Sequence, residues 1–160
     1  MTPLKIVQLH SNDYGGGAEA VARLNHKGLV ELGHSAELLV AKKTGDEEFV
    51  RQVSYRRGIP GSRRIAKAVQ SLTGLQNFYA PSFREVSQEF GSSPNIIHMH
   101  AMHGASEWAD LTGLATVAKH FPVVCSLHDL WWLTGHCAYG MECVRWQTGC
   151  GACPDLDRYP

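Results

Sequence analysis

The sequence predicts an α/β domain built on a Rossmann-like, doubly wound parallel sheet. Three observations support this prediction. Short β-branched strands alternate with helical segments, a glycine-rich turn joins the first strand to the first helix, and polar residues follow the ends of later strands. With 160 residues, of which 44% are hydrophobic and 19% charged, the chain has the size and composition of one globular domain.

The first strand, helix and strand occupy residues 4–41. Residues 4–10 (LKIVQLH) are apolar and β-branched, as is typical of a buried parallel strand. A helix is predicted over residues 18–32, where Val21, Leu24, Gly28 and Leu32 recur close to helical spacing and Gly33 follows as a C-cap. Residues 35–41 (SAELLVA) predict a second strand, reached by a right-handed crossover.

The middle of the chain predicts a basic, loop-rich insertion with one helix over residues 62–72. Residues 49–84 contain no acidic side chain but include Arg51, Arg56, Arg57, Arg63, Arg64, Lys67 and Arg84. Such a stretch could lie on anionic lipid or contact a phosphate-bearing acceptor, or it could be an ordinary solvated helix face.

Regular structure is predicted again from residue 96 onwards. Residues 96–100 and 122–127 predict strands on either side of a helix at residues 108–120. We therefore expect a Rossmann-like domain over residues 1–135, with a cysteine-rich segment at residues 136–160 packed on the same domain. Cys125 lies in the last predicted strand, where we expect it to be buried.

Charge and hydropathy exclude several classes of function. Fifteen basic and fifteen acidic side chains cancel, so no net field favours nucleic-acid binding. The first residues lack a signal-peptide pattern, and no apolar run approaches the roughly 20 residues that cross a bilayer. We expect a cytoplasmic protein with, at most, peripheral contact at the inner membrane face.

The glycine loop after the first strand is a candidate anion site. Gly15, Gly16 and Gly17 open the pattern G-x-G-x-x-A at a strand-to-helix turn, where backbone N–H groups and the helix dipole favour negative charge. The alternative is that the glycines only permit a tight turn. Lys42 and Lys43 stand where dinucleotide enzymes place an acidic ribose ligand, which disfavours NAD and leaves NADP open.

Histidines gather where two predicted strands end. His98, His100 and His103 accompany one strand, and His128 with Asp129 follows the next. Because the carboxyl ends of parallel strands line the ligand crevice, these groups could hydrogen-bond a hydroxyl-rich acceptor and tune its nucleophilicity. We predict His128 and Asp129 as catalytic residues and His100 and His103 as acceptor-side residues. The alternative is that the histidines only satisfy backbone groups.

Four cysteines near the end form the pattern C-x5-C-x6-C-x2-C. Four thiolates in a turn-rich segment can hold a structural, tetrahedral zinc ion, and the closing C-x2-C is a usual half-site. Disulfides or unlinked thiols are the alternatives. The cysteines concerned are Cys137, Cys143, Cys150 and Cys153.

Several of these segments occur together in the order found in a known family. They are DYGGGAE at residues 13–19, LGH at 32–34, PNIIHMH at 94–100, PVVCSLHDLWWLTG at 122–135 and the cysteine-rich run at 136–154. The sequence resembles bacterial family 4 glycosyltransferases, particularly the subgroup acting in exopolysaccharide or colanic-acid-like assembly. The resemblance covers nearly the whole chain.

The resemblance implies the N-terminal, acceptor-side half of a GT-B fold, in which two Rossmann-like domains face a cleft. Such enzymes transfer a sugar from a nucleotide donor to a glycan or lipid-linked acceptor with retention of configuration. The glycine loop would meet the donor diphosphate or an acceptor anion, and His128 and Asp129 would face the cleft. The C-terminal donor-binding domain has no counterpart in these residues, so we expect this chain alone to be inactive.

Two hypotheses from other classes stay open beside this one. The first is a nucleotide- or NADP-binding oxidoreductase domain, in which the glycine loop and the two lysines would bind phosphate groups of the nucleotide. The second is a non-enzymatic binding module stabilised by a metal ion at the four cysteines.

Overall fold

A computed structural model describes residues 2–53, 64–65, 68, 72, 81–91, 93–100, 111–134, 137–150 and 153. Five parallel strands form one sheet in the order β3-β2-β1-β4-β5. The strands are β1 (Lys5–Asn12), β2 (Ser35–Lys42), β3 (Val50–Gln52), β4 (Ile96–His100) and β5 (Val123–Ser126). The predicted α/β class with a Rossmann-like parallel sheet is confirmed.

Helices flank the strands in the described part of the chain. They include the α-helices α1 (Gly17–Glu31), α2 (Leu111–Ala118) and α3 (Trp131–Thr134) and the 3₁₀ helices Pro81–Phe90 and Arg145–Gln147. No helix within the described ranges is long and apolar enough to span a membrane.

The order of the strands fixes where a ligand crevice can form. The chain runs outward from β1 through β2 to β3, and then returns to place β4 on the other side of β1. The direction of winding therefore reverses between β1 and β4. In open α/β sheets, the crevice lies at such a reversal, outside the carboxyl ends of the strands.

The two faces of the sheet differ in character. One face is apolar: Leu9, Leu39 and Met99 pack against Phe90 of the first 3₁₀ helix and Val117 of α2. Alternation along the strands turns the next residues to the α1 face. There, a smaller cluster joins Ala22 of α1 to Leu38, Val40 and Val50.

Helix α1 is held at both of its ends. Its first turn begins after Gly16, whose N–H donates to Glu19 Oε2 at 2.8 Å. At the other end, Gly33 adopts φ +83°, and the amides of Gly33 and His34 donate to the carbonyls of Val30 and Leu29. This Schellman arrangement favours glycine at that position, as the sequence predicts.

The packed face of α1 differs from the apolar spacing in its sequence. Val21, Leu24 and Leu32 are exposed, whereas Ala22 and His26 are buried. The reason is that the strand residues beneath α1 include buried polar groups, so small and polar residues pack there. His26 stacks on the ring of Phe49, with centroids 3.8 Å apart.

The basic stretch is only partly described, and one of its members has a different role. Of the helix predicted over residues 62–72, the structure describes Arg64, Ile65, Ala68 and Leu72, all helical and exposed. Arg51 lies in β3, a strand that the sequence did not predict. Its guanidinium is paired with the carboxylates of Glu37 (2.7 Å) and Glu89 (2.9 Å), so its charge is not available to attract an external anion.

Cys125 is exposed, and the expectation that it is a core residue is wrong. The cause is the position of β5, which pairs with β4 and lies at the edge of the described sheet. An edge strand with little packed over it leaves Cys125 and Val124 open to solvent.

The buried carboxylate of Asp13, just before the glycine loop, hydrogen-bonds the loop after β2. Asp13 is fully buried, and its side-chain oxygens accept hydrogen bonds from the amides of Thr44 and Gly45 and from the Thr44 hydroxyl, at 2.7–2.9 Å. Burial alone would raise the pKa of Asp13, but these hydrogen bonds lower it below its ordinary value. A Cβ at Gly45 would clash with the ring of Tyr14 and the carboxylate of Glu47, so a larger residue there would require these side chains to move.

We predict that Asp13→Ala lowers the free energy of unfolding by roughly 2–3 kcal/mol, because it leaves buried donors without their charged acceptor. Chemical denaturation of this chain measures the change. Asp46→Ala, an exposed residue of the same loop, is the matched control and should be nearly neutral. Equal stability of the two variants would contradict the role given to Asp13.

Candidate functional site

The candidate site lies at the carboxyl edge of β1 and β4, where the winding reverses. The glycine loop follows β1 directly, His100 is the last residue of β4, and His128 follows β5 by two residues. Three sequence-predicted features therefore converge on the edge where a crevice is expected.

Polar side chains form a row beneath α1 along the two central strands. The register pairs Gln8 of β1 with His98 of β4 and pairs His100 with Ser126 of β5. Because side chains alternate, His10 and His128 extend the same row towards the carboxyl edge. We call this set the polar row; its members are Gln8, His10, His98, His100, Ser126 and His128.

His100 connects the buried part of this row to its outer end. It is fully buried; Gln8 Oε1 lies 3.0 Å from its Nε2, and His128 Nε2 lies 3.0 Å from its Nδ1. With the Gln8 amide oriented so that its oxygen faces the ring, His100 Nε2 carries the proton and donates it. His100 Nδ1 then accepts a hydrogen bond from His128 Nε2, which leaves His128 Nδ1 as an acceptor.

Asn25 of α1 supports this orientation from above. Its side-chain amide lies 3.0 Å from His98 Nδ1 and donates a longer bond of 3.4 Å to Gln8 Oε1. Since His98 Nδ1 accepts, its Nε2 donates to the Ser126 hydroxyl at 2.7 Å. Reversing the Gln8 amide alone would set its donor against that of Asn25, so with Asn25 placed as it is, Gln8 Oε1 faces His100 Nε2.

Burial keeps these rings uncharged. It lowers the pKa of His100 to about 3, with further lowering by the neighbouring His98, His10 and His128. Burial also lowers the pKa of His98, and it lowers that of His10 despite the opposing charge of Glu19. The inner part of the polar row therefore stays neutral at physiological pH.

The structure adds Gln8 and His10 to the candidate site, and neither was singled out from the sequence. Gln8 Nε2 and His10 Nε2 are buried without a hydrogen-bond partner in the described part of the chain. Buried polar atoms are usually satisfied, so such atoms mark places that bind water or a ligand group. A usable signal was present, because polar residues two apart interrupt the apolar strand LKIVQLH just as they interrupt IIHMH.

The carboxylate of Glu19, in the first turn of α1, lies against the glycine loop. Glu19 Oε2 accepts the Gly16 N–H, and its other oxygen lies 3.4 Å from the position of a Cβ on Gly15. An external anion at Gly15, Gly16 and Gly17 would have to displace this carboxylate or bind beside it. The anion role of the loop stays a prediction.

The remaining predicted residues divide into three groups. Asp129 Oδ1 accepts the N–H of Trp131 at 2.9 Å and so caps helix α3, while its catalytic role stays a prediction. His100 is fully buried and contacts His128, and its acceptor-side role stays a prediction. His103 lies outside the described residues.

The four late cysteines line one pocket, as a shared site requires. Cys137, Cys143, Cys150 and Cys153 surround a space of about 30 Å³. No disulfide joins any of the five cysteines, all of which are described. Over the described ranges, no three histidine, cysteine, aspartate or glutamate side chains stand ready to share a metal ion.

The chain matches a family of glycosyltransferases over most of its length. Residues 15–149 match Glycosyltransferase Family 4. A protein of Escherichia coli (strain K12), named as a colanic acid biosynthesis glycosyl transferase, WcaC, is 30% identical over 170 aligned residues. The alignment covers 98% of this chain and 41% of that relative, so the chain spans less than half of the relative's length.

The neutral histidines predict how stability depends on pH. Between the ordinary histidine pKa of 6.5 and the folded value of about 3, the unfolded chain binds a proton that folded His100 does not. The free energy of unfolding should therefore fall as pH is lowered through this window, by up to about 1.4 kcal/mol per pH unit for one histidine.

Chemical denaturation at several pH values between 7 and 5 measures this slope. His100→Gln should reduce this slope by the amount that uptake of one proton on unfolding contributes. His120→Gln is the control and should leave the slope unchanged by comparison, because His120 is exposed near the opposite edge of the sheet. Identical slopes for wild type and His100→Gln would show that His100 is not held neutral by the fold.

Proposed function

This chain belongs to Glycosyltransferase Family 4, and we propose that it forms the acceptor-side domain of a retaining sugar transferase. The donor is a nucleotide sugar, and the acceptor is a glycan or a lipid-linked glycan. The observation that carries this proposal is the position of His128, the outer end of the polar row at the reversal of winding between β1 and β4.

His128 has the chemistry that an acceptor hydroxyl needs. Its Nε2 is occupied by His100 at 3.0 Å, and the tautomers leave Nδ1 as a hydrogen-bond acceptor. A hydroxyl that donates to Nδ1 is oriented and made more nucleophilic as it attacks the anomeric carbon. His128 is half-buried, so it can meet a ligand, whereas His100 is fully buried.

His10 offers a second contact at the same edge. It is almost fully buried, its Nε2 has no partner within the described residues, and burial lowers its pKa. Because it is so deeply buried, we assign to it a hydrogen bond with a water that mediates contact to a sugar hydroxyl. Asp129 supports this edge by capping the helix that follows His128.

The glycine loop is assigned to the donor diphosphate or to an acceptor anion. The amides of the first turn of α1 and the helix dipole provide the attraction. Glu19 opposes it, because its carboxylate already accepts the Gly16 N–H. Binding of a diphosphate therefore includes release of Glu19 from Gly16.

The oxidoreductase hypothesis is less well supported by the residues around β2. The Lys43 ammonium donates to the carbonyls of Glu47 and Val50, both at 2.8 Å, and so stabilises the loop between β2 and β3. It is not positioned to hold the 2′-phosphate of NADP unless these bonds break. Family membership also favours sugar transfer.

Activity is proposed for the chain together with a donor-binding domain, in a GT-B arrangement. The relative extends well beyond the aligned region, which supports this requirement. We place the enzyme in the cytoplasm, with peripheral contact to the inner membrane face through the basic stretch of residues 49–84. The chain by itself should bind acceptor but transfer no sugar.

We predict that His128→Ala lowers kcat by about 100-fold when this chain is joined to a donor-binding domain, because the acceptor hydroxyl loses its hydrogen-bond acceptor. Transfer from a panel of nucleotide sugars to glycan acceptors is measured, and NMR of the product tests retention. His120→Ala is the control and should keep full activity with the same thermal stability. Unchanged turnover in His128→Ala would remove His128 from the mechanism.

The role of Gln8 is tested separately, because it acts through His100 and His128. Gln8→Met keeps the side-chain volume but removes the acceptor of the His100 proton, and should lower kcat roughly tenfold with KM little changed. In a His128→Ala background, the same substitution should have no further effect on kcat. Additive losses would show that Gln8 has only a structural role.

A further inference from the structure

The cysteine-rich segment contains almost no apolar core of its own. Over residues 137–150 only Ala138 is buried, while Met141 is 90%, Tyr139 69% and Val144 64% exposed. The regular structure in this segment is the three-residue 3₁₀ helix Arg145–Gln147. Short segments that cannot bury apolar surface are usually held by a covalent or metal link.

The backbone of this segment is held in unusual conformations next to its cysteines. Among the described non-glycine residues, positive φ occurs only at Met141 (47°) and Cys150 (54°), and Gly149 has φ 106°. L-residues rarely adopt such angles, and they persist where surrounding contacts hold them. The turns bring the four thiols to one pocket.

The lining of this pocket selects one kind of ligand. Its cysteines are Cys137, Cys143, Cys150 and Cys153, and no histidine, aspartate or glutamate of the described chain lines it. A volume of about 30 Å³ suits a single atom or water molecule rather than an organic ligand. Four sulfur ligands favour a soft divalent metal in tetrahedral coordination, which zinc fulfils.

We propose that these four cysteines bind one zinc ion, which holds residues 137–153 against helix α3. Thr134 of α3 also lines the pocket, and its hydroxyl donates to the Cys137 carbonyl at 2.9 Å. Because four thiolates fill the coordination sphere, the ion has no open position for substrate and acts structurally. The proposal is independent of sugar transfer.

Binding must draw the thiols inward, because they line the pocket without forming a ready-made metal group. Zinc with four thiolates carries a net charge of minus two, and Arg145, which also lines the pocket, provides compensating positive charge. The chain should therefore be more rigid over residues 137–153 with zinc than without it.

Metal content and thiol reactivity of the purified chain test this proposal. The chain is prepared in reducing buffer, the reductant and loosely bound metal are removed, and metals are measured by mass spectrometry. We expect one zinc per chain. We also expect one thiol, Cys125 on β5, to react without a chelator, and four more to react after a strong chelator is added.

Matched variants locate the ion. Cys125→Ser lies outside the pocket and should keep the full zinc content. Cys153→Ser should lose the ion, whereas Cys153→His should retain it, because imidazole nitrogen also binds zinc. If Cys153→Ser does not fold, cobalt substitution of the wild-type chain decides: intense visible bands of tetrahedral cobalt with sulfur-to-metal charge transfer are expected.

Several results would overturn the proposal. Zinc far below one per chain, with all five thiols reacting at one rate, would show unlinked cysteines. A mass deficit of four hydrogens that reductant restores would show two disulfides, and equimolar iron in place of zinc would show a different metal. Octahedral cobalt spectra, or zinc retained in Cys153→Ser, would place the ion elsewhere.

Discussion

The polar row beneath α1 is the constraint on which the rest of this structure depends. Imidazole and amide groups lose their water when they are buried, and this costs free energy unless each group finds a partner. Gln8 Oε1 and His100 Nε2 find each other only if β1 and β4 pair in the observed register. A slip by one residue would turn these groups into the apolar face, so the row fixes the register as firmly as the core does. Asn25 of α1 completes the network and fixes how the helix lies on the sheet.

The regular elements of the fold could be predicted because their signals are local. Strands β1, β2, β4 and β5 are short apolar runs between turn residues, and α1 lies between a glycine loop and a C-cap glycine. Strand β3 was missed because three residues, Val50–Gln52, are too few to show a pattern. The burial of individual side chains was harder to predict, because it depends on residues that are distant in sequence. Val21 and Leu24 of α1 face solvent because the sheet beneath includes buried polar groups, and Cys125 is exposed because β5 is an edge strand of the described sheet.

The edge of the sheet at which the candidate site lies could be predicted from the sequence, but the hydrogen bonds between its residues could not. The glycine loop, His100 and His128 follow strands, and the carboxyl ends of parallel strands share one edge, so their proximity could be predicted. The hydrogen bonds could not, because pairing His100 with both Gln8 and His128 requires knowledge of the register and of α1. The geometry shows His100 fully buried between Gln8 and His128, with His128 less buried than His100. Glu19, which competes for the glycine loop, was likewise visible only in the folded chain.

We infer that a neutral, hydrogen-bonded His100 sets the tautomer of His128. Nitrogen-15 NMR of the histidine rings tests this inference, because ring nitrogen shifts report both charge and tautomer. With each ring assigned by substitution, we expect His100 and His128 both to carry a proton on Nε2 at pH 7, and His100 to stay neutral as the pH is lowered to 5. A His100 ring that titrates near its ordinary pKa of 6.5, or that carries its proton on Nδ1, would show that the fold does not set this tautomer.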